Sequence, residues 1–214
     1  MTDPAAPALL LKVRIFVDYW NFTLACKGLK NDFRFDWSNI GPLFAEEAAK
    51  MVNKAIPHSY EAMHVYSSYS PHQGVDMKFK HWLTSVLDKQ PGVVVEAVER
   101  KLKKSPPKCP KCYEAATNCA SCGADMRGTE EKGVDTRIVT DMMSLAWSGG
   151  YDVAVLVSAD RDFVPVAEEL QKRGFKVIHA QINGAGQDLA RHCWGVLDVS
   201  ALMPKFEAAP KVKA

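Results

Sequence analysis

Aspartates are the side chains of this sequence placed to do chemistry. Asp160 and Asp162 stand in Ser158-Ala159-Asp160-Arg161-Asp162, just past residues 153–157, a Val-rich apolar run. Such an unbroken run reads as a strand buried on both faces. Asp18 ends a second apolar run, residues 12–18, with Asn21 three residues on at the opening of the next helix. Asp135 follows Lys132-Gly133-Val134 at the start of a helical segment. The carboxyl ends of parallel strands share one edge, so these acids can converge. Gathered carboxylates without matching bases repel one another unless a divalent cation lies between them. Hard oxygen donors suit Mg²⁺ or Mn²⁺, and a metal held by carboxylates and a substrate phosphate is suited to hydrolysing phosphodiesters. Each acid has a plainer reading beside this one. Asp162 serves as a helix N-cap, Asp160 as a solvated turn residue, Asp135 as a first-turn partner of the helix dipole and Asn21 as a cap. Asp141, about 120° round the helix from Asp135, is a secondary candidate.

The elements that must position these residues alternate. Strands are expected over residues 12–18, 60–69, 93–98, 153–157 and 176–182, with a last strand or turn at 196–202. Helices are expected from Asp36 to about Asn53, over 77–89 with Phe79, Trp82, Leu83, Val86 and Leu87 on one face, over 134–148, over 163–173 and over 187–193. Pro165 is tolerated only in a first turn, and Gly174 stands where a helix C′ glycine belongs. Trp20 and Phe22 read as core packing. Strands alternating with helices give an α/β chain with a mostly parallel sheet. Neither G-x-G-x-x-G after the first strand nor G-x-x-x-x-G-K-[ST] anywhere is present, which removes the main support for dinucleotide and nucleoside-triphosphate sites.

One stretch breaks the alternation. Between Lys101 and Lys132 seven basic residues (Lys101, Lys103, Lys104, Lys108, Lys111, Arg127, Lys132) face four acids, in a chain whose net charge is only +2. Cys109-Pro-Lys-Cys112 and Cys119-Ala-Ser-Cys122 lie in it, six residues apart. Doubled C-x-x-C pairs match the two knuckles of a compact zinc ribbon, with four thiolates on one structural Zn²⁺ and no open position. An iron–sulfur cluster, disulfides or a redox pair are the alternatives. Cys26 and Cys193 read as small buried apolar residues. The sequence shows no signal-peptide pattern and no run of the roughly 18 apolar residues a membrane span needs, so a reduced, cytoplasmic protein is expected. Residues 1–8, rich in Pro and Ala, are expected to be disordered, and 204–214 to form a flexible polar tail.

Asp18-x-x-Asn21 after a strand, Lys132-Gly-Val-Asp135 opening a helix, and Val157-Ser158-Ala-Asp160-x-Asp162-Phe163 together resemble the signature of NYN domains, in the LabA-like group of the PIN-like nucleases. The resemblance spans about residues 12–202, leaving out the Cys-rich insert, and sets the domain at 10–203 with 101–131 as a zinc-ribbon insertion within it. It implies a Rossmann-like three-layer sandwich, an acidic Mg²⁺ or Mn²⁺ site and ribonuclease activity. Asp18, Asp135, Asp160 and Asp162 would be the catalytic, metal-holding acids, with Asn21, Ser158 and Asp141 in support. Lys101, Lys103, Lys104, Lys108, Lys132, Arg137 and Arg161 are candidates for contact with single-stranded RNA. A homo-oligomer is left open. The rival readings are a non-catalytic RNA-binding or scaffolding module, and a small phosphatase. The phosphatase reading is weakened by the lack of an acid two residues after Asp18.

Overall fold

The computed structural model of the chain describes residues 10–71 and 74–209; the N-terminal Pro/Ala-rich segment lies outside them. The six main strands are β1 (Leu11–Asp18), β2 (His58–Tyr69), β3 (Val93–Glu99), β6 (Val153–Val157), β7 (Lys176–Gln181) and β8 (Gly195–Asp198). They form one sheet in the order β3-β2-β1-β6-β7-β8, every pairing parallel. Short β4 (Lys101–Leu102) and β5 (Thr129–Glu130) pair antiparallel in a separate ribbon. The helices are α1 (Tyr19–Leu29), α2 (Trp37–Asn53), α3 (Gly74–Trp82), α4 (Val134–Trp147), α5 (Val164–Lys172), α6 (Gln187–His192) and α7 (Val199–Leu202).

Alternation along each strand splits the core in two. Val13, Ile15 and Val17 of β1 face a layer holding Phe22 and Cys26 of α1 and Phe44 and Ala48 of α2. Phe16, between them, faces Ile138 and Met142 of α4 and Leu170 of α5. All five residues of β6 are buried, as an apolar run covered on both faces requires. The result is the expected α/β three-layer sandwich. Because β1 leads outward to β2 and β3, whereas β6 leads outward to β7 and β8, the chain direction switches between β1 and β6. A crevice at the carboxyl ends of two such strands is where open α/β sheets bind ligands.

Three expectations change in detail. α3 begins at Gly74 and gives way to a π turn, Leu83–Leu87, in which Asp88 N–H donates to the Leu83 carbonyl at 3.0 Å. The extra residue in that turn rotates Val86 outward to 47 % exposure, while Leu83 and Leu87 stay buried. Residues 196–202 resolve into both a strand, β8, and a helix, α7. Residues 204–209 are not a free tail. Phe206 is fully buried against Phe22, Phe33 and Phe44. Its carbonyl accepts from Asp36 N–H at 2.9 Å, and Ala208 N–H donates to the Arg34 carbonyl at 2.8 Å. Burial of one Phe among polar neighbours is enough to draw the segment in. Residues 210–214 lie outside the described part.

Candidate metal and nucleic-acid site

Asp18 is both the last residue of β1 and the N-cap of α1, its Oδ1 accepting from Asn21 N–H at 3.2 Å. Ser158, one residue past β6, donates its hydroxyl to Asp18 Oδ2 at 3.3 Å. Ser158 Oγ also accepts from Asp160 N–H at 3.2 Å. Asn21 Oδ1 accepts from Ala159 N–H at 2.9 Å. The exits of β1 and β6 are thus stitched together by side chains at the switch point. Asp160, not Asp162, makes the cap: its Oδ1 takes Asp162 N–H at 2.9 Å and opens the short 3₁₀ turn Arg161–Phe163 ahead of α5. That leaves the Asp162 carboxylate exposed. Asp135 stands in the first turn of α4, behind Gly133, which caps that helix with φ 97°, a left-handed conformation suited to glycine. Below the acids, His179 Nε2–H donates to the Ser158 carbonyl at 2.9 Å.

The electrostatics tie the acids into one group. Asp18 is pushed up to about 6, chiefly by burial, with Asp135 and Glu131 adding like charge. Asp135 is also raised, by burial and then by Asp160, Glu131 and Asp162. The charges that act most strongly on the two residues are all negative. Glu131 is a member that sequence reasoning missed, because it falls at the end of the insertion; the Ser68 hydroxyl at the end of β2 donates to it. The only sequence signal for it is its position two residues before the Gly133 cap. Asp141 lies apart from the group, accepting from Tyr66 OH at 2.7 Å on the α4 side of the sheet.

The donor set suits a hard divalent cation: oxygen ligands, with like charge as the main coulombic influence on Asp18 and Asp135. Among the described residues no three His, Cys, Asp or Glu side chains stand close enough together to hold an ion. The acids converge without forming a closed ligand shell.

The inserted segment forms two tight loops with one hydrogen-bond pattern. Tyr113 N–H donates to the Cys109 carbonyl and Cys109 N–H to the Glu114 carbonyl, at 2.9 and 2.8 Å. Gly123 N–H to Cys119 O and Cys119 N–H to Ala124 O repeat it, each at 2.8 Å. Tyr113 and Gly123, at φ 60° and 72°, take the same left-handed position. Backbone N–H groups of Cys112 and Lys111 lower the Cys109 thiol, and those of Cys122 and Ser121 lower the Cys119 thiol. All four thiols are free, and they stand as two pairs rather than one set of four. Burial pushes Cys26 and Cys193 up to about 12, as expected of inert thiols.

Of the basic candidates, Lys101, Lys103, Lys104, Lys108 and Arg161 are exposed. Lys132 pairs with Glu130 at 3.1 Å and Arg137 with Glu96 at 3.0 Å, both at the surface. No helix among the described residues is long and apolar enough to cross a membrane.

A crystal structure of a protein of unknown function, VPA0982 from Vibrio parahaemolyticus RIMD 2210633, shares the fold. It aligns with TM-score 0.53 and 17 % identity over 96 % of this chain and 100 % of that one. No curated protein matches the sequence. The model of the NYN domain family matches residues 12–199, and the chain belongs to that family, within the PIN-like nuclease superfamily.

Proposed function

We propose that the protein is a metal-dependent ribonuclease hydrolysing phosphodiester bonds of single-stranded RNA. The observation that carries this reading is the convergence of Asp18, Asp135, Asp160 and Asp162, with Glu131, on the carboxyl edge of the sheet at its switch point. The order of the three acidic motifs supports placement in the LabA-like group. Asp18 and Asp160 are the acids held most firmly, each by a backbone N–H, so they would fix a Mg²⁺ or Mn²⁺. Asp162, and Asp135 beside it, would complete the set of acids that holds the ion. Held there, the cation would supply a lowered pKa for water and neutralisation of charge on the phosphate. Asp135, at the solvent edge of the group with its carboxylate partly desolvated and its proton affinity raised, is the group suited to take the proton from water attacking in line with the departing oxygen. Water oxygen bonds to phosphorus as the P–O bond opposite breaks, and the leaving oxygen takes up a proton from solvent. Ser158 orients Asp18 through its hydroxyl. Cleavage of labelled single-stranded RNA with Mn²⁺, with Mg²⁺ and with EDTA tests the activity.

The two cysteine loops support a structural Zn²⁺ in the same protein. N–H groups aimed at Cys109 and Cys119 favour thiolate, the form that binds metal, and the repeated loop geometry offers two ligands per loop. Zinc would draw the two pairs together.

A further inference from the structure

A groove of about 460 Å³ opens beside the acidic group, lined by Trp20, Leu24, Ser70, Asp76, Arg100 and Glu131. It lies on the β2–β3 side, whereas Ser158 and Asp160 lie on the β6 side. Glu131 belongs to both the groove and the acidic group, since its charge acts on Asp18. Trp20, two residues past Asp18, is held in place by its indole N–H, which donates to the Ser68 carbonyl at 2.9 Å. Phe79 packs against the indole, ring centroids 5.1 Å apart. Leu24, one turn further along α1, is 62 % exposed. Arg100 follows β3 directly, and its Nε is buried with no hydrogen-bond partner among the described residues. Asp76 Oδ2 takes Ser70 N–H at 2.8 Å, so a second carboxylate edges the groove.

These residues do not suit a phosphate. An indole and an exposed leucine give a phosphate nothing, and Asp76 and Glu131 repel it. They suit a flat, neutral group with an apolar face, acceptors for Arg100 and donors for a carboxylate. We propose that the groove seats one unstacked nucleobase of the RNA strand, next to the phosphate at the acidic group. Aromatic side chains hold single-stranded bases in this way, largely through the base face. Guanine carries acceptors and adjoining donors together, so it is the base favoured there. This rests on the ribonuclease reading for the identity of the strand, but not on turnover.

The test is binding of a short labelled single-stranded RNA to the full chain with its acids intact, Ca²⁺ replacing Mg²⁺ to limit cutting, read by fluorescence anisotropy. A single abasic nucleotide is moved along a guanine-containing strand. At one position it should weaken binding by about five- to a hundred-fold. The same penalty should disappear in Trp20→Ala and in Arg100→Gln. Because Trp20→Ala could loosen Phe79, Leu24→Ser, on an exposed side chain, provides a second check and should shrink the penalty. Uracil bound as tightly as guanine at that position would overturn the roles of Arg100 and Asp76. An abasic penalty absent everywhere, or unchanged in all three variants, would overturn the subsite. The nuclease reading is judged separately, by cleavage with the wild-type chain: loss of either result leaves the other standing.

Discussion

Asn21 and Ala159, 138 residues apart, are joined by one hydrogen bond: Asn21 Oδ1 accepts from Ala159 N–H at 2.9 Å. It clasps the β1–α1 turn to the exit of β6, so the carboxylates on those two segments stay together. Asn21→Ala should therefore leave a part-buried N–H unpaired and cost about 1–3 kcal/mol. Asn21→Asp keeps an acceptor but adds a fifth aspartate beside Asp18. We expect it to be stable at low pH and to lose melting temperature as pH rises. A melting series from pH 4 to 8 separates the two variants; an Asn21→Asp curve parallel to wild type would contradict the clasp's place in the acidic group.

Asp18 gives the pH dependence a sign. Its folded value, about 6, lies above its ordinary 3.8. Between those values the folded chain holds a proton that the unfolded chain has lost, so ionising Asp18 costs stability as pH rises through that window. Asp18→Asn removes the cost. The variant's advantage over wild type should grow from near zero at pH 4 to at most about 3 kcal/mol above pH 6. His64 acts oppositely: burial, then Arg14, pushes it down to about 4, so the stability it contributes is lost as pH falls from 6.5 toward 4. The wild-type curve mixes these effects with those of Asp135 and His179, and the Asp18→Asn difference singles out the contribution of Asp18. Mg²⁺ should raise the wild-type melting temperature more at pH 7.5 than at pH 5. An advantage that does not change with pH would contradict the raised proton affinity that burial, with Asp135 and Glu131, gives Asp18.

The alternation of strands and helices was legible because each strand pairs a period or run of apolar residues with a turn signal. Val153–Val157 is the clearest case, buried throughout. Asp18, Asp135, Asp160 and Asp162 were legible for the same reason: each ends or follows a readable element. Glu131 was not, because nothing local marks it; only the return of the insertion to Ser68 makes it a neighbour. The roles of Asp160 and Asp162 as cap and free carboxylate were reversed by a 3₁₀ turn that spacing alone does not reveal. Trp20 and Arg100 gave no signal beyond ordinary packing and charge, since their groove is made by three strand ends meeting in space. Phe206 was hidden in a polar run.

The cysteine loops predict one zinc per chain by elemental analysis. Cys109→Ser with Cys112→Ser should abolish it, and since the insertion pairs through its own two-stranded ribbon, the six-stranded sheet should keep its melting transition. Iron in place of zinc, or a disulfide among these residues in purified protein, would contradict the assignment.

The exposed run Lys101, Lys103, Lys104 and Lys108 leads from β3 into those loops. If it holds the RNA backbone, replacing all four with Ala should weaken binding and flatten the plot of log affinity against log salt. The slope should change by about one unit for every phosphate that the lysines neutralise. Cleavage at saturating substrate should be little altered. An unchanged salt slope would show that the run does not touch RNA.

Cleavage by the Asp160→Asn chain tests the account most directly. Labelled single-stranded RNA is incubated with wild type and with Asp160→Asn, each with Mn²⁺, Mg²⁺ or EDTA, and melting temperature is measured on the same samples. The account predicts cut RNA from wild type with either metal and none with EDTA. It predicts no cutting by Asp160→Asn, at a melting temperature unchanged or raised because carboxylate repulsion is relieved. Wild-type-like cleavage by Asp160→Asn, or equal cleavage in EDTA, would contradict it.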